Sequence, residues 1–592
     1  MKNKMINKIV QLSLLLFALS ACNDFLDENP DYSYTPENAF STSSQVEQVL
    51  VSCYNQIRNI YTTENGATFL FKGNGSDMFD VPTIRKGSIM NDYGILNPQK
   101  DEFNTNYSNW YELIAKANLA LYSAELPQMQ WGDETIKKYA LAQAHFFRAF
   151  SYRNLGELYG GVPIVTDVST VPHYDFTRTS RLETYQFAID EMETAVKDLP
   201  ETTETPGRLV KGAAQHNLCQ LYIDKGVFLI EAGKEGDAKV AYEKAITYAN
   251  AVIDGGTYHL MTERFGSRKD ENPDYYYAST LSDQTPDHLY SKAGVKIEGN
   301  VIWDMFQEGN QNYQEGNKEA IWCAEIDYDA YKTEDGGSKL GYSRMFGPVF
   351  RDAASLYITG ALEDVGGRGI TRITPTEYTR NLVYEGKWKN DLRNSEAALR
   401  RIFLGNKTDT EYYGKPIPWS ILRKDGESQA SRDGAFSECY PVSCKIATDK
   451  YTGLADGENR SNLFRDEYLI RLSETILLRA EAKMRVGDLA GAASDINLVR
   501  SRAKCSYKVT ASDVDLDLIL DERARELVYE EPRWNTLLRM GGTVATDRIK
   551  KYAYWDVARA SLNFDYNLWP IPQVVIDTNK DAPMEQNPGW NR

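Results

Sequence analysis

The chain has 592 residues, too many for one compact core, and its 42 % hydrophobic and 26 % charged content is that of a soluble globular protein. Its net charge is −17, and removing residues 1–21, which hold Lys2, Lys4 and Lys8 and no acid, leaves about −20. That balance repels phosphate backbones and sets nucleic acid aside, and it disfavours strongly acidic polysaccharides unless a local basic patch exists.

The chain opens MKNKMINKIVQLSLLLFALSAC: three lysines, then the apolar run Ile9–Leu19, then Leu19-Ser20-Ala21-Cys22. A basic start and a short apolar run make an export signal over 1–21, too short for a comfortable membrane span. Small residues directly before Cys22 form a lipobox, so Cys22 is expected to carry the lipid. Residues 22–35 then read as a polar, acidic tether. No later stretch has about 18 uninterrupted apolar residues, so the membrane is met through lipid alone.

Helical spacing begins at Tyr107 and runs to about Asp254. Its stripes include Tyr111, Ile114, Asn118 and Leu121; Tyr139, Ala142, Phe146 and Ala149; and Leu182, Tyr185, Ile189 and Met192. Gly160-Gly161-Val162-Pro163, Leu199-Pro200 and Asp254-Gly255-Gly256 punctuate them. Helices of this length joined by short turns predict antiparallel pairs of the tetratricopeptide type over 36–256. Residues 257–462 are rich in Gly, Asn, Asp and Tyr, with strand-like pieces such as Glu319–Ile326, and read as a large irregular insertion. Helical patterning returns over 463–592, at Glu467–Val486, Leu489–Arg502 and Leu516–Leu527. The predicted fold is mainly α: a helix-pair superhelix whose inserted loops and short strands face a ligand.

No enzymatic motif stands out. The histidines His145, His173, His216, His259 and His288 show no metal-ligand spacing, and there is no G-x-S-x-G elbow or phosphate loop. Asp513-Val514-Asp515-Leu516-Asp517 lacks the Gly and Glu of a calcium loop and reads as the acidic start of a helix. The seven cysteines form no CxxC pair, although Cys439 and Cys444 are able to pair with each other. No cofactor or metal is expected.

A series of motifs in order resembles the SusD/RagB family of outer-membrane nutrient-binding lipoproteins. They are the lipidated start Cys22–Asp27; Tyr111–Asn118 (Y-x-x-I-x-x-A-N); Arg148–Tyr152 with Leu158–Pro163; Lys211–Ala214; and Asn317–Trp322. Asp391–Arg393, Arg471–Ala482, Val499–Ala503 and the closing Leu568–Gln573 with Asn587–Gly589 complete the set. One departure is Glu530-Glu531-Pro532-Arg533, which stands where the family has E-G-x-R. The resemblance implies a cell-surface protein of the outer membrane that binds oligosaccharides without altering them. It also implies a partner, a SusC-like TonB-dependent transporter on which the protein sits as a lid. A peptide-binding lid, a surface glycoside hydrolase and a ligand-free scaffold are the competing readings.

The resemblance places the ligand site in the segment before the first helix pair and in the insertion. The first, roughly 69–93, offers Asn74, Asp77, Arg85 and Tyr93; Asp77 equally suits capping or orienting its loop, and Phe79 reads as packing. The insertion offers Tyr275 and Tyr276, since three tyrosines in a row cannot all face one core. It also offers Trp303, for which ordinary core packing competes, and Arg344 and Phe346. Trp322 belongs to the core, and Trp569 with its prolines to a structural pin for the C-terminus.

Overall fold

The computed structural model describes residues 35–590 apart from 82–89, 91, 170, 274–296, 334–338, 349–368, 405–415, 419–439, 447–461 and 563–565. Cys22, Arg85, Tyr275, Tyr276 and Cys439 lie outside the described residues.

The scaffold is a stack of helices, each packed on the next. The first part runs α1 Ser43–Thr62, α2 Gly66–Phe71, α3 Asp101–Ala124, α4 Glu134–Tyr159, α5 Arg181–Asp198, α6 Lys211–Glu231 and α7 Glu235–Ile253. In the insertion the helices that matter below are α8 Tyr328–Lys332 and α9 Tyr342–Phe346. The C-terminal part holds α10 Leu472–Arg485, α11 Leu489–Arg502, α12 Leu516–Leu527, α13 Arg533–Arg539, α14 Val544–Tyr552 and α15 Gln573–Thr578. Helix α3 packs on α4, α4 on α5, α5 on α6 and α6 on α7; α7 then packs on α10 and α10 on α11. Because α7 and α10 are neighbours in space, everything between them is an excursion from one continuous stack.

The turns obey local chemistry. Ser180 and Glu183 close a capping box at the start of α5. Gly160 ends α4 at φ 76° and Gly487 turns α10 into α11 at φ 88°, left-handed values that cost glycine little. Asp515 caps α12 by accepting the Leu518 N–H at 2.8 Å, so the acidic run there is a helix start.

Two readings of the sequence change. Helices α1 and α2 precede the first predicted one, and Glu467–Arg471 is a strand rather than the first turn of α10. That strand, β4, pairs antiparallel with β2, Ala320–Ala324, placing Ile470 opposite Trp322 and Tyr468 opposite Cys323. It is short and runs directly into the helical stretch behind it. A shorter pair joins β1, Phe79–Asp80, to β3, Thr374–Pro375.

One large apolar core follows the stack, and two satellite clusters lie under the insertion. Trp322 is buried among Phe146, Phe147 and Phe150 of α4. Trp569 meets Phe103 and Tyr159 edge-on at 5.6 and 5.8 Å, and its backbone N–H donates to the Leu158 carbonyl at 2.7 Å, pinning the C-terminus to α4.

Buried charge joins insertion to stack. Glu526 of α12 pairs with Arg393 of the insertion at 3.0 Å, Arg471 at 3.1 Å, and Arg502. Arg471 also holds Glu319 at 3.1 Å, and Lys445 of the insertion holds Glu530 at 2.6 Å. The family departure belongs to the same ledge: Glu531 is 4 % exposed and pairs with Arg523 and Arg533, both at 2.7 Å. Burial alone would raise the Glu522 carboxyl, but Arg393, Arg525 and Arg500 hold it down at about 2.

Candidate functional site

The loop between α1 and α2 carries Glu64. Its carboxylate accepts from Arg344 Nε of α9 at 2.8 Å and from Arg372 Nε, just ahead of β3, at 3.1 Å. The three side chains are 25–30 % exposed, so the cluster sits at the surface with both guanidiniums oriented by one acid. Arg344, expected from the sequence, is thus placed at a boundary between scaffold and insertion.

A short bridge extends this cluster to an aromatic platform. Leu340 exchanges backbone hydrogen bonds with Leu463 at 2.8 and 3.2 Å, which lays Lys339–Gly341 beside Asn462–Phe464. Helix α8, capped by Asp327 on the Ala330 N–H at 2.8 Å, presents Tyr328 and Tyr331, three residues apart and so on one face. Both rings lean on buried Phe464, at 4.8 and 5.1 Å, and remain half-buried. Lys339 Nζ lies 5.6 Å from the Tyr331 ring and Lys332 Nζ 5.2 Å from that of Tyr328. Asn462 donates to the Tyr331 hydroxyl at 3.3 Å. Two supported, half-buried rings with polar groups and two cations in reach offer apolar surface beside hydrogen-bonding groups.

Glu325, just after β2, and Asp466, just before β4, share the Asn312 amide, at 3.4 and 2.7 Å. Burial pushes both carboxyls upward, and the neighbouring acids add to the effect.

The other expected contacts have different duties. Asp77 is fully buried and receives Arg533 at 2.7 and 2.8 Å and Arg548 Nε at 3.0 Å. Its burial raises its carboxyl and the two guanidiniums more than reverse that, leaving it below the usual range. Tyr93 is also fully buried, donating to the Gly75 carbonyl and packing on Tyr566 at 5.5 Å. Phe346 is fully enclosed by Phe79, Tyr342 and Tyr529. Trp303 is 3 % exposed, with the Arg264 and Arg268 guanidiniums 5.6 and 5.7 Å from its ring. The expectation that Tyr93, Trp303 and Phe346 face a ligand is therefore corrected: all three side chains are buried in the protein's interior. Asn74 is half-buried; its carbonyl accepts from the Trp534 indole at 2.9 Å, while its side-chain oxygen is buried and meets no donor among the described residues.

Reasoning from sequence missed Glu64, Tyr328, Tyr331 and Arg372. The signal for the tyrosines was their spacing directly after the strand read at Glu319–Ile326. For Glu64 and Arg372 no local signal exists, because their meeting is long-range. Among the described residues no group of three or more His, Cys, Asp or Glu is disposed to hold a metal, and no helix is long and apolar enough to cross a membrane.

Comparison with known proteins bears on this arrangement. The chain matches the model of the SusD family over residues 306–590, and a model described as starch-binding associating with outer membrane over 24–223. The SusD-like protein P2 of Formosa agariphila is 24 % identical, with 98 % of each chain covered. Among solved structures, a SusD homolog from Bacteroides thetaiotaomicron superposes with a TM-score of 0.65 at 17 % identity, over 94 % of this chain and 98 % of that one. A laminarin-binding SusD-like protein gives 0.58 at 19 % identity, over 93 % and 100 %.

Proposed function

Because the chain belongs to the SusD/RagB family, we propose that it is a non-catalytic outer-membrane lipoprotein, anchored at Cys22, that binds oligosaccharides and hands them to a SusC-like TonB-dependent transporter. The observation that carries the binding role is the face made by Tyr328, Tyr331, Asn462, Arg344, Arg372 and Glu64. A pyranose ring offers an apolar C–H face to a tyrosine and hydroxyls to the guanidiniums, carboxylate and amide around it. Each contact is modest, so affinity grows with the number of sugar units that touch the face. The starch-binding description of the matching model and the laminarin-binding name of one neighbour support a carbohydrate as the ligand class. Outer-membrane association is supported by the same model's description, and lipid attachment by the lipobox ending at Cys22.

Isothermal titration of the chain lacking residues 1–22 against a panel of glucans, other neutral glycans, uronate-containing glycans and peptides tests this reading. Saturable binding of at least one glycan, with no release of reducing ends, is the expected result. Tight binding of peptides and none of glycans would move the reading to a peptide-binding lid, and turnover would move it to a hydrolase.

A further inference from the structure

A cavity lies far along the chain from the platform, against the scaffold. It has a volume of about 590 Å³ between the face of α3 and residues 163–169 and 171–176. Tyr107, Tyr111, Ile114 and Leu119 line it, together with Val575 and Met584. Several of its polar groups are already engaged. Tyr111 donates to the Pro163 carbonyl at 2.7 Å, and Asn118 to that of Val165 at 3.0 Å. Asn579 donates to the Phe176 carbonyl and accepts the Phe176 N–H, both at 2.8 Å. A sugar entering here would lose hydration from its hydroxyls and find few partners, so the hollow suits an apolar guest. Its rim is unusually greasy for a free surface: Tyr174 is 40 % exposed, Phe176 38 % and neighbouring Val574 50 %.

The wall of the hollow includes Pro36, the second of the described residues. Immediately ahead of it the sequence runs Phe25-Leu26-Asp27-Glu28-Asn29-Pro30-Asp31-Tyr32-Ser33-Tyr34-Thr35. We propose that the hollow is the seat of this tether, with Tyr32 and Tyr34 entering it and Phe25 and Leu26 covering its rim. Two observations select this occupant over an outside one. Tyr34 stands two residues from the wall, within about 7 Å along the chain. In an extended segment Tyr32 falls on the same side as Tyr34. A guest joined by so short a link has an effective concentration on the order of millimolar, which a dilute external ligand does not match.

Docking has a mechanical consequence, which rests on the lipid anchor proposed above. An undocked tether from Cys22 to Pro36 lets the body stand anywhere up to roughly 50 Å from the bilayer. A docked one leaves only Cys22–Asp24 free, roughly 10 Å of slack, and fixes which side of the stack faces the membrane.

The test uses the chain with Cys22→Ser, so that lipidation plays no part in the readout. Chymotrypsin should cut between Phe25 and Tyr34 at least tenfold more slowly in this protein than in its Phe176→Asp derivative. Tyr174→Asp, also on the exposed rim, serves as a second derivative should the first lower the melting temperature. Deleting residues 22–34 should speed amide exchange across 163–176 and raise binding of a naphthalene-sulfonate dye. Equal cleavage in parent and rim variants, or exchange and dye binding unaffected by the deletion, overturns the proposal. So does a dimer, detected by sedimentation, whose dissociation alone opens the hollow. A separate failure of the Cys22 anchor would leave all of these readouts unchanged.

Discussion

Asp77 lies bidentate on Arg533, at 2.7 and 2.8 Å, with both side chains fully buried although 456 positions separate them. This pair ties the segment preceding α3 to α13. Asp77→Asn leaves two guanidiniums, of Arg533 and Arg548, without their full countercharge. The expected cost is roughly 3–5 kcal/mol of stability, read by chemical denaturation, with the affinity of the folded fraction for glycan unchanged. A weakened affinity at unchanged stability would instead make Asp77 a ligand contact.

The platform makes the opposite prediction. Tyr331→Ala and Arg372→Ala alter half-exposed groups and should shift stability little. Each should weaken glycan binding by about 1 kcal/mol or more, roughly fivefold or greater. Titration calorimetry with the glycan found in the initial screen checks this, and unchanged affinity in both variants removes the platform from the binding site.

Two kinds of buried carboxyl respond to pH in opposite senses. Glu522, held at about 2 against its burial by Arg393, Arg525 and Arg500, contributes stability above the ordinary carboxylate range that disappears as pH falls toward 2. Glu325 is raised, first by burial, so its contribution is present at low pH and is lost as pH rises through its elevated value. Glu325→Gln should therefore stabilise at pH 8, on the order of 1 kcal/mol, and change little at pH 5. Thermal melts of the two proteins at both values give the answer, and a gain confined to pH 5 would reverse the assignment.

Cys22→Ala should release the protein from the membrane fraction, since no helix among the described residues is long and apolar enough to cross a bilayer. Membrane association that survives the substitution would require another attachment.

The scaffold was legible because helix stripes and glycine punctuation are local. Tyr185, Ile189 and Met192 fall on one buried face of α5 just as their spacing requires, and Trp322 sits in the core as its strand context implied. The site was less legible because it depends on which loops meet. Arg344 faces solvent while Phe346, two residues on in the same helix, is enclosed by Phe79 and Tyr529. Their loop-like surroundings gave the two equal standing. Only the long-range pairing of β1 with β3 and the meeting of Leu340 with Leu463 separate them. Glu467–Arg471 failed for another reason: the strand is only five residues long, is buried on both faces rather than alternating, and runs straight into a helix.

The ionic ledge around Glu526 bears on how such proteins can diversify. Arg393 and Lys445 belong to the inserted region, while Arg471, Arg502, Glu526 and Glu530 belong to the C-terminal part of the scaffold. A graft that exchanges residues 257–462 for another sequence would strand acids in a dry interior unless the incoming piece carries cations at matching places. Segments beyond the ledge, such as the short helix α8 that holds Tyr328 and Tyr331, are free of that obligation. Changes in ligand preference should accumulate there, in small edits, rather than through wholesale exchange of the insert.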